Sequence, residues 1–207
     1  MVHMIKGCTE CGTHKCAGGE GEYPDFCPTA GMSAEEIAEL IALYNDDEEN
    51  HKVCLSSAEI EDEYYCRLTR VEETVEFARR IGAEKIGIAT CIGLIRESRI
   101  LAKILRSHGF EVISVCCKAG AIDKKAIGMT KHCADTGDKM CDPILQARIL
   151  NNEKTDLNIV MGLCVGHDCI FYKYAQGLTT TMVVKDRVTG HNPAAPLYTY
   201  ESYYKKL

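Results

Sequence analysis

Eight of the thirteen cysteines in this 207-residue chain fall into two sets whose residue type and spacing suit metal chemistry. The first is compact: Cys8-x-x-Cys11-x4-Cys16-x10-Cys27. A C-x-x-C turn presents two thiolates to one ion or cluster, and Gly7 and Gly12 leave the backbone free to wrap it. Zinc ribbons usually pair two such knuckles. Here three thiols are crowded together and the fourth is followed by Pro28, which is closer to iron–sulfur usage. An iron–sulfur cluster of the 4Fe-4S type is therefore the leading ligand of this set, with zinc the alternative. The second set, Cys91, Cys117, Cys141 and Cys164, is dispersed at intervals of about one strand plus one helix. Its members share a site only if the fold brings them together.

The elements that could do so begin at Thr69. Thr69 and Glu72 form a capping box, and the helix that follows carries Val71, Val75, Phe77, Ala78 and Ile81 before Gly82 stops it. The apolar runs "KIGIATC", "FEVISVCC", "LNIVMGLC" and "TTTMVVKD" then alternate with helical periodicities, one stopped at Gly109 and another opened by Asp142 and Pro143. Short unalternating strands separated by helices predict a parallel sheet covered on both faces. The expected fold is α/β, a Rossmann-like doubly wound sheet of at least four strands, spanning 69–207. Upstream, 1–30 is a Cys-rich metal-binding segment too polar to build a core. Residues 31–68 form a helical segment packed on the main domain. Ser33 and Glu36 open its first helix, with Ile37, Leu40, Ile41 and Tyr44 on one face, and a second amphipathic stretch covers 55–66. The intervening "NDDEEN" reads as a helix end with a solvated face.

In a parallel sheet, functional groups collect beyond the carboxyl ends of the strands. Cys91 ends the first predicted strand, Cys116 and Cys117 end the second, and Cys164 ends the third, while Cys141 sits just before the Asp142–Pro143 helix start. Cys117 is taken as the ligand from its pair. Helix N-termini after Cys91, Cys141 and Cys164 favour thiolate over thiol. The stretch "GLCVGHDC" adds His167 and Asp168 as candidate catalytic groups, His167 being suited to ligation or proton donation by its near-neutral titration. "VVKDRVTGHNP" adds Lys185, Asp186, Arg187, His191 and Asn192 past the fourth strand. Cys54, Cys66 and Cys133 follow no such pattern and read as core or surface thiols.

Composition narrows the partners. A net charge of −6 with no basic stripe argues against nucleic acid or an acidic membrane surface. No run of about 18 apolar residues occurs, and the N-terminus lacks a signal-peptide core, so a cytoplasmic location is expected. A reducing compartment makes disulfides a poor account of the cysteines. Neither G-x-G-x-x-G nor a Walker A loop follows the first strand, and "CIGLIR" is one residue short of a C-x5-R phosphate loop. Expected partners are a small molecule or a redox partner protein, with homo-oligomerisation left open.

Together, "CTECGTHKC", "DFCP", "CDPILQARILN", "GLCVGHD" and "KDRVTGHNP" resemble an uncharacterised family of cysteine-rich proteins regarded as metal-binding, known only as a domain of unknown function in anaerobic bacteria and archaea. The resemblance runs from Cys8 to about Tyr198. It implies metal binding and names no activity. More loosely, a Rossmann-like half with dispersed thiols is similar to small proteins proposed to hold zinc through four cysteines. The functional expectation is a protein with one or two iron–sulfur clusters in electron transfer or redox chemistry. A zinc-binding module for metal sensing or handling is the alternative. A metal-free thiol enzyme with Cys164 as nucleophile and His167 as base is the third.

Overall fold

The computed structural model describes residues 7–129 and 136–207. Cys133 lies outside the described residues. The chain divides into two compact units, Met1–Leu55 and Ser56–Leu207.

In the first unit, residues 7–31 form three short 3-10 turns, Cys8–Glu10, Lys15–Ala17 and Pro28–Gly31, with no buried residue among them. The helix α1, Ala34–Asn45, starts where the sequence places it: Ser33 Oγ accepts from the Glu36 amide (3.1 Å) and the Glu36 carboxylate accepts from the Ser33 amide (2.8 Å). The acidic run after it does more than solvate a face. Asp47 caps α2, Glu48–Tyr64, by accepting from the Asn50 amide at 2.8 Å, so that helix begins earlier than its apolar residues suggest. The division between the two units falls inside α2.

The second unit is α/β. Its four strands, β1 (Lys85–Thr90), β2 (Glu111–Cys116), β3 (Leu157–Met161) and β4 (Leu178–Val183), form one sheet of order β2-β1-β3-β4, and every pairing is parallel. The central strands behave as the unalternating pattern predicts: β3 is buried at every position, and β1 at all but Lys85. The edge strands are less buried: β2 buries only Val112 and Val115, and β4 is half-buried throughout.

Helices cover both faces. Val75 and Ala78 of α3 (Arg70–Arg80) and Leu101, Ala102 and Leu105 of α4 (Ile95–Ser107) pack with Ile86, Ile88, Leu157 and Ile159. On the other face Ala147 and Leu150 of α5 (Pro143–Asn152) and Phe171 of α6 (His167–Tyr174) pack with Ala89, Val115 and Val160. Each fully buried aliphatic or aromatic side chain contributes roughly 1.5–3 kcal/mol, so this two-sided core is what makes the sheet rigid. Arg80 ties α2 to α3 through Glu59 (2.9 Å) and Glu63 (2.7 Å). A short helix, α7 (Ala195–Tyr198), follows the last strand. Among the described residues no helix is long and apolar enough to cross a membrane.

The strand order has a consequence for the site. From β1 the chain moves outward to β2, then crosses back to place β3 on the other side of β1. At such a switch point the loops leave in opposite directions and open a crevice beyond the carboxyl ends. Cys91 follows β1 and Cys164 follows β3, so both belong to the strands that flank it.

Candidate functional site

The thiol positions at the sheet edge are set by backbone hydrogen bonds that continue the sheet one residue past its strands. The Cys91 amide donates to Met161 O (3.1 Å), the Cys117 amide to Thr90 O (2.8 Å), and the Asp142 amide to Cys117 O (2.8 Å). Gln146 of α5 reinforces this from beneath. Its fully buried amide donates to Thr90 O (3.1 Å) and Val115 O (2.7 Å), joining the ends of β1 and β2 just before their cysteines. Asp142 caps α5 through the Leu145 amide (2.9 Å), with Pro143 at the first helical position, which brings Cys141 to the same edge.

The result is a row of three sulfurs. Cys117 is the inward member of the Cys116–Cys117 pair, 2% exposed, and shares hydrogen bonds with both Cys91 and Cys141. Its sulfur also accepts from the Ile92 amide at 3.3 Å. The three cannot ionise independently, since like charges in a half-buried site oppose one another. The central Cys117 thiol is pushed up by Cys141, Cys91 and burial, and keeps its proton. Its hydrogen bond draws Cys91 down to about 5, assisted by the Gly93 amide and Lys185. The same happens to Cys141, also about 5, with Lys118 and His167 adding positive charge.

Cys164, the fourth member, accepts a hydrogen bond from Arg187 Nη2 at 3.2 Å, and the guanidinium is held charged first by Cys164 and also by Cys91 and Cys141. Arg187 thus links the fourth thiol to the row. Among the described residues, no group of three or more His, Cys, Asp or Glu stands in a geometry that holds a metal ion. The row is organised by shared protons and neighbouring cations.

The other predicted residues fall out as follows. His167 opens α6 and contributes charge to Cys141, whereas Asp168 directs Oδ1 to the Gly166 (2.9 Å) and Cys169 (2.8 Å) amides as a local cap. In the N-terminal set Cys8 and Cys16 are exposed and Cys11 and Cys27 half-buried. Cys11 has its thiol lowered by the His14 amide and by the hydroxyl and amide of Thr13, so one thiolate of the knuckle is favoured by groups within three residues of it. Cys54 and Cys66 are exposed thiols. Lys118 was missed by sequence reasoning. The available signal was its place directly after Cys117, a cation leaving the same strand end as the clustered thiols.

Gly162 is required by the geometry. Its φ is +63°, and a Cβ there would lie 2.2 Å from Leu94 Cδ1 and 3.5 Å from Lys185 Cε. The glycine therefore leaves room for the Leu94 side chain at the end of β3.

Compared with known proteins, the chain is 49% identical over 182 residues to the uncharacterised protein MJ0455 of Methanocaldococcus jannaschii, an alignment covering 88% of this chain and 93% of that protein. Residues 27–182, which include Cys27 and all four sheet-edge cysteines, match the family described as protein of unknown function (DUF1847). By that match and that relative, the chain belongs to the DUF1847 family.

Proposed function

We propose that this is a thiolate metal-binding protein whose main centre lies at the carboxyl edge of the sheet, with Cys91, Cys117, Cys141 and Cys164 as its ligands. The observation that carries the reading is the row Cys91–Cys117–Cys141: one thiol from the β1–α4 connection and one from each end of the β2–α5 connection, aligned by main-chain bonds and sharing protons. Three sulfurs arranged in this way create a soft anionic site, which suits zinc or an iron–sulfur cluster better than hard cations. Cys164 completes a four-sulfur set on moving from Arg187 to the metal. An iron–sulfur centre in electron transfer or redox chemistry is the preferred assignment, with zinc handling the alternative. His167 beside Cys141 is the proton donor or replacement ligand. A second centre at Cys8, Cys11, Cys16 and Cys27 is supported by a segment with no buried residue, which needs an ion to order it.

The test is iron, zinc and acid-labile sulfide measured on anaerobically purified protein. Cys117→Ala should lose one centre and the double variant Cys11→Ala/Cys16→Ala the other. Iron with sulfide supports the cluster, and colourless protein with stoichiometric zinc supports the alternative. Full metal retention by Cys117→Ala would reject the sheet-edge centre.

A second reading, thiol chemistry without metal, is favoured by the lowered Cys91 and Cys141 thiols. In it the nucleophilic sulfur is one of these two, held as thiolate by the hydrogen bond from the protonated Cys117. Cys164 faces Arg187 rather than a base.

A further inference from the structure

We propose that Gln146 is the positioning residue of the sheet-edge site, its side-chain amide holding the loops of Cys91, Cys117 and Cys141 so that the three sulfurs stay within reach of one another. The inference rests on the site reading above and adds the residue that assembles it.

The pairing of β1 with β2 ends at Thr90 and Cys116, before the cysteines it must place. β2 is an edge strand, so its end has a neighbouring strand on one side alone. Local opening begins at such ends. Cys91 and Cys117 therefore need a tie beyond the ladder. One main-chain bond, from the Cys117 amide to Thr90 O at 2.8 Å, supplies part of it. Gln146 supplies more. Its amide nitrogen carries two donors, and it reaches carbonyls of two different strands, Thr90 O at 3.1 Å and Val115 O at 2.7 Å.

The same residue fixes the third thiol. Gln146 lies in the first turn of α5, where its backbone amide donates to Asp142 O at 3.2 Å, and the Asp142 amide donates to Cys117 O at 2.8 Å. Cys141 directly precedes Asp142. The Gln146 side chain thus fastens the start of α5 to the ends of β1 and β2, and all three cysteine-bearing backbones are tied through one group. The result is visible at Cys117, whose sulfur accepts at 3.3 Å from the amide of Ile92, the residue after Cys91.

Core packing does not call for a glutamine at this position. Gln146 is fully buried, and among the described residues its Oε1 accepts no hydrogen bond. A buried acceptor without a partner costs stability, which an apolar side chain of similar size would avoid. The helix already has its packing from Ala147 and Leu150 and its cap from Asp142. Leu150 meets the sheet in the middle of β1, where a Cβ on Gly87 would lie 2.9 Å from its Cδ1, away from the thiol end. What the glutamine adds is its pair of bonds at the strand ends.

Phenylarsine oxide, whose arsenic bridges neighbouring thiols, reads this geometry. Full-length protein is purified anaerobically, its metal content is measured, and the metal is removed by chelation. Protection of each cysteine by the arsenical against N-ethylmaleimide is then mapped by peptide mass spectrometry. Wild type should protect Cys117 together with Cys91 or Cys141. Q146M, similar in size but without the amide, should need at least about tenfold more arsenical for the same protection, as expected for losing two neutral hydrogen bonds. L150A removes core from the same helix, so its urea midpoint should fall further than that of Q146M while its protection stays at the wild-type concentration. Wild-type capture by Q146M would overturn the inference, as would weakening in both variants in step with their midpoints, or a wild type that protects none of the three. If Q146M does not fold, Gln146→Asn decides, since a side chain one methylene shorter does not span both carbonyls: weakened capture supports the role and undiminished capture rejects it. The metal reading is scored separately. Wild type that is purified without metal yet captures the arsenical refutes that reading and leaves the positioning role standing, whereas Q146M that keeps both metal and capture removes the positioning role alone.

Discussion

At the sheet edge Cys91 and Cys117 are 6% and 2% exposed, and their backbone amides are bonded into neighbouring strands. Between Gly7 and Gly31 no residue is buried, and the four cysteines ride on turns closed by short-range bonds such as Cys11 N to Cys8 O (3.2 Å) and Gly18 N to Lys15 O (3.0 Å). The same side chain is used in opposite ways. One region is preorganised by a core and suffers the electrostatic strain of crowded thiols. The other hides too little apolar surface to offset chain entropy, and on the proposed reading an ion orders it.

The contrast is broken most sharply by removing metal. On the proposed reading of an ion-ordered N-terminal segment, chelation should make it cleave at Lys15 about tenfold faster or more with trypsin, while the β1–β4 unit stays resistant. Equal resistance of both after verified metal loss would contradict it.

Next in size is the pH response of the metal-free sheet unit. Cys91 and Cys141 have folded values near 5, below the ordinary value of 9.0. Their contribution is present above the unfolded value and lost as pH falls toward 5. Cys117 is shifted upward, so its contribution is present below the unfolded value and lost as pH rises past it. Urea midpoints of metal-free protein should rise between about pH 5 and 8 and fall above about 9. Cys117→Ala should abolish most of the rise by returning Cys91 and Cys141 toward ordinary thiols, which alkylation rates at pH 6 can follow. An unchanged profile would separate the three sulfurs.

Gly162→Ala should destabilise the sheet unit by about 2–3 kcal/mol, from positive φ and the Leu94 overlap, read as a lowered urea midpoint. The smallest effect compares the two regions through one device. Ser33→Ala removes the α1 capping box and should cost about 1 kcal/mol of local helix stability, visible in amide exchange because α1 buries no residue. Thr69→Ala removes the same box from α3, where Thr74, Val75 and Ala78 are buried, and its helical amides should remain protected.

Much of the fold was legible. The caps at Ser33, Thr69 and Asp142, the glycine stops at Gly82 (φ 74°) and Gly109 (φ 94°), and all four strands follow from local chemistry. Asp47 was harder to see because its acidic neighbours hide one capping residue in a charge run. The site was legible as a set of loop ends, since a parallel sheet directs every strand's C-terminus to one edge.

What the sequence by itself determined is therefore the alternation of strands and helices and the position of a cysteine at the end of each of three strands, because periodicity and caps act over a few residues. Only the tertiary structure decided that Cys117 rather than Cys116 turns inward, that Cys117 sits between Cys91 and Cys141, and that Lys118, Lys185 and Arg187 face these sulfurs. Those contacts join residues from separate strand-ends and loops. They depend on strand order and on the main-chain bonds linking Thr90, Cys117 and Asp142, which no local pattern encodes.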